Sequence, residues 1–249
     1  MNQAIVVGGS NGIGLSITQN LIFRGYHVNI IDRVIPDTAL EEYAENITYY
    51  KCDLLNFDKE LFEKLALDAE VKCLMITAGF GRVTNFENLS IEEIDNLFTV
   101  NTVAGVKIIK CFYDRIRSKE PFYTGMMVSI AGYVSSPMFT VYAASKAALM
   151  RFIESVNIEL EVNGSHNRIL NVSPGSIIGT KFNGAEINHV DLTADLANQI
   201  VDHMLNCEEK FIPEYEKTYK SVIERYESDP HAFGLSSYQY KLMSGRVKN

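Results

Sequence analysis

An α/β fold is predicted, with one parallel sheet covered by helices on both faces. Short apolar runs rich in β-branched residues alternate with longer segments of helical spacing as far as Pro213. That alternation at a regular pitch implies parallel strands joined by crossover helices. Runs such as Ala4–Val7 and Val71–Thr77 are almost wholly apolar rather than alternating, as strands buried on both faces must be. The 249 residues are 47% hydrophobic and 22% charged, an ordinary globular balance for a single domain over 1–249.

The elements follow in order. Residues 4–7 read as a strand and Ile13–Phe23 as a helix, with apolar residues at 13, 17, 21 and 22. Residues 27–31 are a strand, 38–43 a short helix, 47–50 a strand and 58–67 a helix. After the strand 71–77, Ser90 and Glu93 have capping-box spacing and open a long helix to about Arg117. Then come a strand at 125–130, a long helix at 141–162, a strand at 168–173, a helix at 192–206 and a last short strand at 210–213. About seven strands result. The tail from Glu214, rich in tyrosine and charge, reads as helix plus irregular structure.

Composition excludes several classes. A net charge of −8 argues against nucleic acid or an anionic membrane as partner. No apolar run approaches the roughly 18 residues of a membrane span, and no secretory leader is expected. Cys52, Cys73, Cys111 and Cys207 are widely spaced, so no zinc site, other metal site or disulfide framework is expected, and a reducing cytoplasm fits.

The first strand runs into Gly8-Gly9-Ser10-Asn11-Gly12-Ile13-Gly14. Glycines at 8, 12 and 14 let the backbone approach a pyrophosphate, and the helix N-terminus at about Ile13 offers free N–H groups. Asp32 ends the second strand, where a carboxylate accepts hydrogen bonds from an adenosine ribose diol and repels a 2′-phosphate. At 4 Å and an effective dielectric near 20, that repulsion is about 4 kcal/mol before screening. NAD is therefore favoured, while the neighbouring Arg33 keeps NADP open. Asp53 and Leu54 follow the third strand, where they would meet an adenine edge and face. Ala78-Gly79 follow the fourth, small enough for a ribose to lie on the backbone.

Tyr142 and Lys146 stand one helical turn apart at the start of a long helix, so both face one way. An ammonium beside a phenol favours phenolate and would lower the tyrosine pKa, making it a general acid or base. Ser129, thirteen residues before Tyr142, offers a hydroxyl to a substrate oxygen as charge develops on it.

Together these residues resemble the short-chain dehydrogenase/reductase family. The resemblance rests on Gly8/Gly12/Gly14, Asp53, Ala78-Gly79, Asn101, Ser129, Tyr142-Ala143-Ala144-Ser145-Lys146 and Asn171-Val172-Ser173-Pro174-Gly175, and spans residues 4 to about 180. It implies a Rossmann-like doubly wound sheet and hydride transfer between NAD or NADP and a carbonyl or secondary alcohol. Tyr142 would move the proton and Ser129 orient the oxygen. Lys146 would bind the nicotinamide ribose, and Asn101 hold a water linked to Lys146. Pro174, Gly175 and Ile177 would lie against the nicotinamide, with Thr180 near its carboxamide or the diphosphate. A homodimer through the helices around 91–117 and 141–162, or a homotetramer, is implied as well.

Three departures stand out. Val7 replaces the family's usual threonine, Thr77 replaces an asparagine, and Thr180 comes one residue late after Pro174. The 36 residues after Pro213 lack the family's usual terminal Gly-Gly strand. This 213–249 tail is expected to cap the substrate pocket, pack at a subunit interface or cap its own subunit. Met138, Phe139 and Phe182 would form an apolar substrate wall. Ser135, Ser136 and Pro137 would face the same pocket, and Lys181 and His189 would favour an anionic group. Gly179 and Gly184 would let the 176–190 loop close as a lid. Two other functions compete: a non-catalytic dinucleotide-binding redox sensor, and a nucleotide-sugar epimerase or dehydratase that retains NAD.

Overall fold

The computed structural model describes residues 1–180, 182 and 188–244. Lys181 and Gly184, named above for the substrate loop, lie outside them. Seven strands form one sheet in the order β3-β2-β1-β4-β5-β6-β7. They are β1 (Gln3–Val7), β2 (His27–Asp32), β3 (Ile47–Lys51), β4 (Val71–Ile76), β5 (Tyr123–Met127), β6 (Ile169–Val172) and β7 (Lys210–Phe211). Every neighbouring pair is parallel. The order reverses beside β1, which puts a crevice at the carboxyl ends of β1 and β4.

Side chains of β1 point alternately to two cores. Ala4 and Val6 pack with Leu15, Ile17 and Leu21 of α1 (Gly12–Phe23) and with Ile200, Val201 and Met204 of α6 (Val190–Leu205). Ile5 and Val7 pack on the other face with α2 (Lys59–Ala66), α4 (Ala104–Ile116) and α5 (Thr140–Val162). Burial on both sides is the physical cause of the unbroken apolar runs. Each such side chain contributes roughly 1.5–3 kcal/mol relative to exposure.

The capping box forms as the spacing requires: the Glu93 N–H donates to Ser90 Oγ at 3.1 Å, and the Ser90 N–H to Glu93 Oε2 at 3.1 Å. The helix it opens is α3 (Ile91–Phe98), and the run to Ile116 is not uniform. A π-helical turn at Thr99–Val103 inserts between α3 and α4 and carries Asn101. Such insertions re-aim a side chain without breaking the helix. The fifth strand lies two residues earlier than expected, because Ser129 leaves the sheet to cap a turn: its Oγ accepts the Ala131 N–H at 3.1 Å. The last strand is only Lys210–Phe211, ending short of Pro213, which has no N–H to pair.

The tail is helical. A π turn at Tyr215–Tyr219 leads into α7 (Lys220–Ser228), and α8 (Pro230–Met243) follows at once. Asp229 separates the two and caps α8, accepting the Ala232 N–H at 2.9 Å, with Pro230 at the first helical position. Among the described residues, no helix is long and apolar enough to cross a membrane, and no cluster of three metal-ligating side chains occurs.

Candidate active site

Two adjoining cavities lie at the carboxyl ends of the strands. The first, about 850 Å³, runs from Asp32 past the glycine loop to Tyr142 and Lys146. Its floor needs glycine for steric reasons. Gly8 has φ +87°, and a Cβ there would stand 2.6 Å from the Ala78 nitrogen. A Cβ on Gly14 would overlap the Gly8 carbonyl oxygen, so strand end and helix start meet only without side chains. Thr77 ties the same junction, its hydroxyl shared between the Val7 and Gly8 carbonyls at 2.9 and 3.0 Å. The departure from asparagine thus leaves a working clamp between β1 and β4.

At the far end Asp32 is held by its own surroundings. Its carboxylate accepts the Ser10 N–H at 3.1 Å and the Val34 N–H at 3.3 Å. Asp53 accepts the Leu55 N–H at 3.0 Å and caps the turn that places Leu54. Asp32, Arg33, Asp53 and Leu54 all line this cavity, as do Gly8, Asn11, Gly12, Ile13 and Gly14. So do Ala78, Gly79, Pro174, Gly175, Ile177 and Thr180.

The polar group at the near end is built on α5 and the turn after β5. Lys146 is 2% exposed, and its Nζ donates to the Met127 carbonyl at 2.8 Å. Burial without a carboxylate partner lowers its pKa to about 8. Tyr142 is 7% exposed, its ring stacked on Phe139 at 4.1 Å between centroids. Burial pushes its hydroxyl up to about 12, and a hydrogen bond with Ser129 pulls the other way. The sequence-level expectation that Lys146 lowers this pKa is therefore corrected: Nζ lies 5.7 Å from the ring centroid, and desolvation outweighs it.

The second cavity, about 1100 Å³, opens on the other side of Tyr142. Gly81, Ser129, Tyr142, Gly175 and Phe182 line both. A Cβ on Gly81 would stand 2.7 Å from Tyr142 Cδ2 and 2.9 Å from Phe139 Cε2, so the loop after β4 passes flat against these rings. The outer wall comes from the tail: Tyr219 ends the π turn, Val222 lies at the start of α7, and Phe233 and Lys241 lie on α8. The Tyr219 hydroxyl occupies the space where a Gly175 side chain would stand. Lys241 anchors α8, donating to Ser136 Oγ and the Pro137 carbonyl, each at 2.7 Å.

Some expected residues are not brought to either cavity wall. Ser10 is fully buried, its hydroxyl turned to the Val34 carbonyl at 3.0 Å. Met138 is 3% exposed with φ +62°, and only Phe139 and Phe182 of the proposed wall line the cavity. Ser136 lines it too, whereas Ser135, Pro137 and His189 do not. Asn101 is 2% exposed and spans the Phe80 backbone, accepting its N–H and donating to its carbonyl, both at 2.9 Å. Its amide donates also to Ser145 Oγ at 3.2 Å, which makes it a brace under the site. Sequence reasoning offered the tail as a pocket cap without naming its wall residues, and read Asn188 only as part of the loop flanking the pocket. The Asn188 side chain accepts the Gly12 N–H at 2.9 Å and donates to Asn11 Oδ1 and Asp37 Oδ2.

A family model described as short chain dehydrogenase matches residues 2–191. An uncharacterized oxidoreductase of Saccharomyces cerevisiae, YDL114W, is 28% identical over 189 residues, covering 72% of this chain and 61% of its own length. Human retinol dehydrogenase 8 is 26% identical over 88% of this chain and 72% of its own length. The chain spans roughly three fifths of the length of the first curated relatives it matches. Among solved structures, a short chain dehydrogenase of Burkholderia cenocepacia in complex with NADP superposes with a TM-score of 0.75. It is 18% identical and covers 95% of this chain and 98% of its own. A short-chain dehydrogenase of Sphingobium yanoikuyae in complex with NADPH gives 0.73 at 20% identity, over 92% and 96% of the two chains. The doubly wound sheet, the glycine junction at its crevice and a family match over most of its length lead to one conclusion: this chain belongs to the short-chain dehydrogenase family.

Proposed function

We propose that the protein is an NAD(P)-dependent oxidoreductase that interconverts a carbonyl and a secondary alcohol. The observation that carries this reading is the position of Tyr142 and Ser129 on the shared wall of two cavities, with Lys146 buried behind them. The first cavity fits a dinucleotide: a side-chain-free floor at Gly8, Gly12 and Gly14, a fixed carboxylate at one end and a phenol–ammonium pair at the other. Asp32 favours NAD at the ribose, and Arg33 on the same wall is the feature that would admit NADP. The names of the relatives, oxidoreductase and retinol dehydrogenase among them, support the reaction class.

A bound nicotinamide supplies or accepts the hydride. The chain's own residues handle the oxygen. The Ser129 hydroxyl, fixed by the Ala131 N–H, steers a carbonyl oxygen towards Tyr142. With its pKa at about 12, Tyr142 stays protonated across the neutral range and holds the proton that the forming alkoxide needs. In reduction the C=O π bond breaks, and one C–H and one O–H bond form. Lys146, with a pKa of about 8, exchanges protons near neutrality on the side of the Tyr142 ring. A homodimer stays part of this reading, since the π turn before α4 leaves Val103 exposed and α5 leaves Ile158 and Val162 exposed.

The test is turnover of NADH and NADPH with a panel of carbonyls, in the native chain and in Tyr142→Phe. The variant should lose about 10²–10⁴-fold in kcat while cofactor affinity stays within a few-fold. Undiminished turnover would remove Tyr142 from the chemistry. Tight cofactor binding with no turnover of any carbonyl or alcohol would favour a dinucleotide sensor.

A further inference from the structure

We infer that the substrate is a bulky, mainly apolar carbonyl compound or alcohol, and that the C-terminal tail is what selects it. This rests on the oxidoreductase reading above and deepens it. The second cavity, at about 1100 Å³, exceeds the usual range of small-molecule sites, roughly 300–1,000 Å³. A ketone of a few carbons would leave most of it filled with water.

The walls nearest the reacting group are apolar. Phe139 stacks on Tyr142, and the Phe182 ring stands 5.6 Å from the Tyr142 ring and 6.4 Å from Phe139. On the opposite side the tail contributes Val222, Ala232 and Phe233, with the hydroxyl-bearing Tyr219, Ser236 and Ser237 among them. Among the described residues, the four charged side chains on the lining are each engaged, Lys241 with Ser136 and Pro137. Asp229 is exposed and engaged in capping α8. Arg225 is exposed, its guanidinium 6.0 Å from the Phe233 ring centroid. Arg82 is engaged with Glu93 at 2.9 and 3.2 Å. A substrate with its oxygen at Tyr142 and Ser129 therefore lays an apolar body between two aromatic-lined walls, one from the sheet domain and one from the tail.

The tail is held in place at both ends of this span. Tyr219 fills the space over Gly175, on the boundary with the first cavity, and Lys241 pins α8 to Ser136 and Pro137. The wall is thus a fixed surface, and apolar area buried against it counts towards affinity.

The test uses the full chain and a methyl ketone series from 2-butanone to 2-dodecanone, with cyclohexanone and 2-decalone as a ring pair. Steady-state kcat/KM should rise about fourfold per added methylene until the cavity is filled, and at least a hundredfold across the series. Calorimetric titration of the same ketones gives a readout free of chemistry, and 2-dodecanone should bind at least a hundredfold more tightly than 2-butanone. In Phe233→Ser, the ratio of large to small ketone should fall at least tenfold in both measurements, with cofactor titration on the same sample confirming the fold. A flat or falling dependence on size, in rate and in binding, would overturn the inference while leaving the oxidoreductase reading intact. An unchanged ratio in Phe233→Ser would remove the tail from selection. Size-dependent binding with no turnover of any ketone would sink the oxidoreductase reading, and with it the identity of the ligand as a substrate, leaving only a cavity that selects by size.

Discussion

Lys146 is the most consequential charge in the fold, and replacing it should stabilise the protein while silencing it. The ammonium is 2% exposed, hydrogen-bonded to the Met127 carbonyl, and its pKa falls from 10.5 to about 8. Below pH 8 the folded state carries a charge that burial penalises, and the unfolded chain carries the same charge in water. At 1.36 kcal/mol per unit, the penalty at pH 7 is about 3 kcal/mol. The folded pKa is depressed, so wild-type stability from this group is present above pH 10.5 and is lost as pH falls through about 8. Lys146→Met keeps the volume and removes the charge, at the expense of leaving the Met127 carbonyl without its donor, about 1–3 kcal/mol. The variant's stability relative to wild type should therefore fall by about 2–3 kcal/mol between pH 7 and pH 10, whatever its absolute value at either. Urea unfolding of both cofactor-free proteins at the two pH values measures this, and the comparison cancels other titrating groups. A difference that does not change with pH would show that Lys146 is solvated or ion-paired in solution, and the electrostatic account of the site would fall.

Three other perturbations probe separate parts of the molecule. Asp32→Ala should narrow the ratio of NADH to NADPH affinity by about tenfold or more, read by energy transfer from protein tyrosines; an unchanged ratio would mean that Asp32 does not sense the ribose. Gly14→Ala forces a Cβ onto the Gly8 carbonyl and should cost several kcal/mol of stability or abolish cofactor binding, seen in thermal melts with and without cofactor. Wild-type melting and affinity in that variant would refute the close approach of α1 to β1. Tyr142 stays protonated with a pKa of about 12, so carbonyl reduction should hold its rate from pH 6 until Lys146 titrates near 8, while alcohol oxidation should quicken as pH rises. Pre-steady-state rates in both directions over pH 6–10 would show it, and a reduction rate that climbs with pH would contradict the assignment of Tyr142 as the acid.

The sheet was legible in the sequence because burial on both faces writes itself as apolar runs, as at β1 and β4, and all seven strands overlap an expected one. The glycine loop was legible for a different reason, since close backbone approach at Gly8 and Gly14 admits no side chain. What escaped was whatever depended on the path of the backbone between elements. The π turn at Thr99–Val103 leaves no compositional mark, so the engagement of the Asn101 amide with Phe80 and Ser145 could not be read from the sequence. Met138 read as a wall residue from its place between Ser129 and Tyr142, yet its left-handed backbone turns it inward. The pKa of Tyr142 was misjudged because a four-residue spacing reports which face a side chain occupies and says nothing of how dry that face is. The tail wall depends on contacts between residues some 45–105 positions apart, such as Tyr219 on Gly175 and Lys241 on Ser136, which no local pattern encodes.

The two walls of the second cavity come from different stretches of one chain. The matched family stretch ends at residue 191, whereas Tyr219, Val222, Phe233 and Lys241 all lie beyond it. Substitutions in the tail can reshape what is accepted without disturbing the groups around Tyr142, so drift in one segment carries little penalty in the other. Two relatives alike over the matched stretch can then share a reaction and differ in what they consume. For proteins built this way, the last forty residues are the better guide to diet, and the first two hundred to chemistry.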